Sequence, residues 1–162
     1  MARLASIILV SAAWMASFGS LAVAAQMPLG CFSRTYDTAH LRIHHSQQVQ
    51  RLWIRFEESR YDPGKIDFGM NLWVRSQKQI WRAGGRCKPS GRGLRCQPDT
   101  DGASELLVTL EGRNLRLTSP GKLKIFDDVT GPDLNERLIG GSADSTFLLQ
   151  ATPDAACKDA RP

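Results

Sequence analysis

Two tryptophans stand where an alternating β-strand would ordinarily carry a small or charged residue. From Val49 to Glu57, Leu52, Ile54 and Phe56 share one face while Arg51, Trp53 and Arg55 share the other. From Phe68 to Arg75, Phe68, Met70, Leu72 and Val74 oppose Asn71, Trp73 and Arg75. If the two stretches are hairpin partners, Arg51, Trp53, Arg55, Trp73 and Arg75 cover one outward face, with Trp81, Arg82 and Arg86 continuing it. Guanidinium over indole contributes about 0.5–1 kcal/mol at exposed sites, and aromatic faces with positive rims suit sugars, bases or acidic groups. The run from Arg75 to Arg95 adds seven basic residues and no acid. Two readings follow: a binding surface for an anionic, ring-bearing partner, or rings and cations that satisfy one another as cross-strand pairs or lie under a further layer.

The remaining reactive residues lack the companions that catalysis or metal binding requires. His40, His44 and His45 are the only histidines, and on a short helix His40 and His44 would share a face, yet Asp37 is the sole close carboxylate and no third or fourth ligand is assured. Asp99-Thr100-Asp101-Gly102 begins like a calcium loop, but Ala103 stands where another oxygen ligand is needed, so a turn is expected. Ser142 follows Gly140-Gly141 without the pattern of a nucleophile elbow and with no assignable histidine partner, which predicts a flexible connection. Glu57-Glu58 and Asp127-Asp128 are adjacent pairs, and neighbours in a strand point to opposite faces, so neither supplies an acid and a base to one substrate. No glycine motif for phosphate binding follows a strand and opens a helix. The expectation is a non-enzymatic protein with no cofactor and no metal.

Location narrows the reading further. Arg3, the apolar and small-residue stretch Leu4 to Phe18, and Ala22-Val23-Ala24-Ala25 form the pattern of a secretory signal peptide, cleaved after residue 24 or 25. Residues 1–25 are therefore expected to be a leader and 26–162 a single β domain, not an integral membrane protein once the leader is gone, in the periplasm or secreted. Lipid attachment at Cys31 would want a leucine three residues earlier, whereas Leu29 is two earlier. All four cysteines lie in the exported part, where paired thiols oxidise. Cys87 and Cys96 bracket the turn-rich Lys88-Pro89-Ser90-Gly91-Arg92-Gly93, which predicts one bridge between adjacent strands and leaves Cys31 to pair with Cys157. Residues 26–98 carry 13 Lys or Arg against 5 Asp or Glu, whereas 99–162 carry 7 against 11. A basic surface of this kind fits an anionic glycan, a lipid headgroup or a partner protein; no nucleic acid is expected.

Apolar and polar residues alternate in short bursts between Gly, Pro, Asp and Asn, the pattern of antiparallel strands. Besides 49–57 and 68–75, strands are expected at 79–86, 94–97, 105–111, 114–118, 122–126 and 146–151, with a loop over 127–145. Thr38 to His45 offers at most one short helix, with Thr38 as its N-cap. About eight strands predict an all-β, small antiparallel barrel or sandwich stapled by two disulfides, and closure into a barrel is favoured because it removes exposed edges. Function on this basis is an exported binding module using the Trp/Arg surface. The alternatives are a barrel carrying an apolar ligand in its interior, with Phe56, Met70 and Leu72 among the inward residues, or an inhibitor or accessory subunit of an exported enzyme that presents the loop Lys88 to Arg95.

Overall fold

Alternating sequence becomes a closed surface because each strand has one apolar face to bury and two hydrogen-bonding edges to pair. The structure is a computed structural model that describes residues 27–127 and 136–158; the expected leader over 1–25 lies outside the described residues. Ten strands run in chain order as β1 (Gly30–Thr35), β2 (Val49–Glu58), β3 (Ile66–Val74), β4 (Ile80–Ser90), β5 (Gly93–Pro98), β6 (Leu106–Glu111), β7 (Asn114–Thr118), β8 (Leu123–Asp127), β9 (Glu136–Ile139) and β10 (Thr146–Thr152). One helix, α1 (Thr38–Ile43), and two 3-10 turns, Ser142–Asp144 and Asp154–Cys157, complete the described elements.

All pairings are antiparallel, in the order β3-β2-β1-β10-β7-β6-β5-β4, and β4 then pairs with β3, so eight strands close into a barrel. β8 and β9 form a hairpin beside it: the upper part of β4, at Trp81 and Arg82, pairs with β8, while its lower part, Gly85 to Ser90, pairs with β5. The interior is one continuous apolar cluster that includes Phe32, Phe56, Phe68, Leu115 and Phe147, joined by Leu123, Ile125 and Ile139 from the hairpin. Side chains fill an eight-strand interior when they are of this size.

Both expected disulfides are present. Cys87–Cys96 joins register partners on β4 and β5, and Cys31–Cys157 ties β1 to the C-terminal 3-10 turn, 126 residues away. Two bridges are compatible with an oxidising, exported location. No helix among the described residues is long and apolar enough to cross a membrane.

Four local expectations change. Strand β1 is additional: Gly30–Thr35 holds the single large apolar residue Phe32, and its pairing comes from neighbours on both sides, β2 and β10. Strand β9 lies inside the stretch expected to be loop. The N-cap of α1 is Asp37, whose carboxylate accepts from the His40 backbone N–H at 2.7 Å; Thr38 is the first helical residue, one place too late to cap. Finally, the Gly140–Asp144 segment is anchored, because Asp144 is only 2% exposed and accepts from the backbone N–H groups of Gln48 (2.7 Å) and Val49 (3.1 Å) at the start of β2.

Candidate functional site

The outward face of β2, β3 and β4 carries the residues singled out by type. Leu52, Ile54 and Phe56 on β2 and Phe68, Met70, Leu72 and Val74 on β3 are buried, which turns their alternates outward. A bulge between Val49 and Arg51 resets the alternation, so Val49 and Leu52 both face in while Arg51 lies directly opposite Trp73. Trp53 sits diagonally from Trp73, paired in register with Asn71. The two indoles meet edge to face, centroids 4.9 Å apart at 61°. The Arg51 guanidinium carbon stands 5.3 Å from the Trp73 ring centre and 6.0 Å from that of Trp53. Arg51 makes no ion pair with a described residue, so its charge is held over two rings and left available. Trp53 is half-buried and, like Ala156, packs against the Cys31–Cys157 bridge.

The other expected members of this face divide into those that reach it and those that do not. Arg55 faces outward but is engaged: Nη2 stands 3.1 Å from Asp154 Oδ2 and Nε 3.5 Å from Glu57 Oε2, which fastens the C-terminal turn to β2. Arg75 lies just past the end of β3, and its Nη1 donates to the carbonyls of Leu41 (3.2 Å), His45 (3.3 Å) and Gln47 (3.5 Å). Leu41 is in the last turn of α1 and His45 and Gln47 are in the loop that follows, so Arg75 fastens the end of the helix and its loop to β3 rather than facing a ligand. Trp81 corrects the expected face outright. It pairs in register with Leu72, shares that residue's inward side, is 4% exposed, and donates its indole N–H to Gln77 Oε1 at 2.7 Å. Arg82 is outward, half-buried, and opposite Asn71. Arg86 is exposed and opposite Asp67.

Asn71 was not among the residues expected to matter. It is 1% exposed, yet neither Oδ1 nor Nδ2 has a hydrogen-bond partner among the described residues. A buried polar group left unpaired costs about 1–3 kcal/mol, so an amide with both ends unmatched needs a reason. Alternation places Asn71 outward correctly, but no pattern in one strand announces that its neighbours will bury it. Beyond it, a surface cleft of about 350 Å³ opens over Gly84 and Gly85, with Glu57, Asp67, Arg86 and Asp99 among its walls. One carboxylate oxygen of Asp67 is also buried without a partner among the described residues.

The histidines form a separate cluster. Tyr36 stacks on His40 at 4.7 Å and His40 on His44 at 4.3 Å, with His40 Nε2 3.1 Å from Gln47 Oε1. Burial pushes the Tyr36 hydroxyl above its ordinary pKa, and the nearby Arg34 opposes that shift only in part. Among the described residues no group of three or more His, Cys, Asp or Glu side chains is placed to hold a metal ion. The chain matches no protein-family model, no curated protein and no solved structure.

Proposed function

We propose that this protein is an exported, non-catalytic binding module, periplasmic or secreted, that holds an anionic ligand on the outward face of β2 and β3. The observation that carries the reading is the contact between Trp53 and Trp73 at 4.9 Å beneath an Arg51 guanidinium with no acidic partner among the described residues. Two rings give a stacking surface, and a half-buried cation beside them attracts a negative group more strongly than one in open water. The signal-like N-terminus and the two bridges support export. A ligand inside the barrel has less support, since Phe56, Phe68, Phe147 and Leu115 occupy the space it would need.

The test is retention on dextran sulfate at low salt. Wild type is expected to bind and to release as salt rises, because exposed charge is screened within a Debye length of about 10 Å at 0.1 M. Arg51→Glu, and separately Trp53→Ala with Trp73→Ala, should weaken retention at least tenfold, about 1.4 kcal/mol. Equal retention of wild type and Arg51→Glu would remove the proposal.

A further inference from the structure

The outward positions of β3 form a strip whose chemistry changes along its length. Trp73 lies opposite Arg51, Asn71 lies between Trp53 and Arg82, Gly69 between Arg55 and Gly84, and Asp67 between Glu57 and Arg86. At about 3.3 Å per residue the strip from Trp73 to Asp67 is about 20 Å long. One end is an aromatic platform with a cation, the middle is the unmatched Asn71 amide, and the far end is the cleft holding the unmatched Asp67 oxygen. Between them, a Cβ added at Gly84 would meet only the Phe68 carbonyl oxygen, at 3.4 Å, so that position leaves the sheet surface open.

Resting on the binding-module reading, we infer that this strip binds an extended glycan chain bearing acidic groups, and that Asn71 reads its hydroxyls. Sugar rings present C–H faces that stack on indole, and their hydroxyls both donate and accept. Asn71 offers two donors and an acceptor, and Asp67 offers acceptors, which is the complement such hydroxyls need. An acid group at the platform end meets Arg51. The length of the strip argues against a lipid headgroup, which would fill one end only. Glu57 and Asp67 at the far end repel a peptide with an acid at every residue, whereas a glycan in which acidic and neutral sugars alternate sets its acid at Arg51 and neutral hydroxyls at the far end. Because Asn71 is 1% exposed, a hydroxyl reaches it when the flanking Arg82 side chain turns aside, a rotamer change of the kind common at binding surfaces.

The experiment is calorimetric titration with a hyaluronan octasaccharide, in which uronic acid alternates with an acetamido sugar, against wild type, Asn71→Leu, Gly84→Val and Arg51→Glu. Wild type should bind, and each variant should weaken binding at least tenfold. Asn71→Leu should keep an equal or higher Tm, because it removes a buried amide that has no hydrogen-bond partner among the described residues, so a loss of octasaccharide binding in that variant is not a loss of fold. Gly84→Val fills the open position at a residue whose backbone accepts a side chain, so the inference remains testable should Asn71→Leu fail to fold. Octasaccharide binding unchanged in both Asn71→Leu and Gly84→Val overturns the glycan strip, and if Arg51→Glu still weakens it the binding-module reading survives alone. Wild type that ignores the octasaccharide but binds phosphatidylglycerol vesicles or polyglutamate through Arg51 likewise overturns the glycan and keeps the surface. No binding to any of these probes, dextran sulfate included, overturns both.

Discussion

Arg51 and Arg75 carry the same guanidinium to different ends, and the difference comes from what the chain brings beside each. Arg51 meets two indole rings, whereas Arg75 meets three carbonyl oxygens from the stretch Leu41 to Gln47. Removing Arg75 strands acceptors that it satisfies, so Arg75→Ala should cost about 1–3 kcal/mol in urea unfolding while leaving retention on dextran sulfate near wild type. Period-two alternation was enough to predict that Trp53 and Trp73 would share a face, because both strands bury one clear apolar set. It was not enough for Arg75 or Trp81. The fate of Arg75 depends on where a helix more than thirty positions earlier comes to rest, and that of Trp81 on the register that sets it opposite Leu72. Asn71 shows the same limit: direction is local, whereas burial belongs to neighbours on other strands.

The strands were legible where they alternate and hidden where they do not. β2, β3, β6 and β7 each bury a run of large apolar side chains at every second residue, whereas β1 contributes only Phe32 and Cys31 to the buried set and borrows its order from β2 and β10. The hairpin partner β9 and the Asp144 anchor escaped notice because glycines on either side read as turn. Cysteine spacing carried more information, since a turn-rich bracket admits one close pairing and leaves the other by exclusion. The two bridges differ in how much chain they restrain, with sequence separations of 9 and 126. On the chain-entropy account the short loop contributes about 3 kcal/mol and the long one about 5 kcal/mol. Replacing Cys31 and Cys157 together by alanine should therefore lower stability by about 2 kcal/mol more than replacing Cys87 and Cys96, measured by guanidinium melts under non-reducing conditions.

At the scale of the molecule, closure leaves one shared interior, to which both ends of the strand order contribute. Phe56 is among its largest wholly buried side chains and touches Phe32 and Phe68, ring centres 6.3 Å away in each case. Phe56→Ala should cost about 3–5 kcal/mol, and calorimetry should still record a single transition because no second described core cluster rivals this one in size. Barrel over sandwich was the favoured expectation, on the ground that closure removes edges; the hairpin of β8 and β9 beyond the ring was not foreseen, because its pairing with β4 leaves no mark in either sequence segment. The ring order has one more effect. β1 to β5, all drawn from the stretch with 13 basic and 5 acidic residues, occupy neighbouring places around the circumference, and β6, β7 and β10 from the acidic stretch fill the rest. β6, β7 and β10 carry only Glu111 and Arg116 as charged residues, so the basic excess lies on one side of the barrel and the opposite side is neutral. A protein with such a permanent moment rotates as it nears a negatively charged surface, and within a few Debye lengths it presents the tryptophan side before any contact forms.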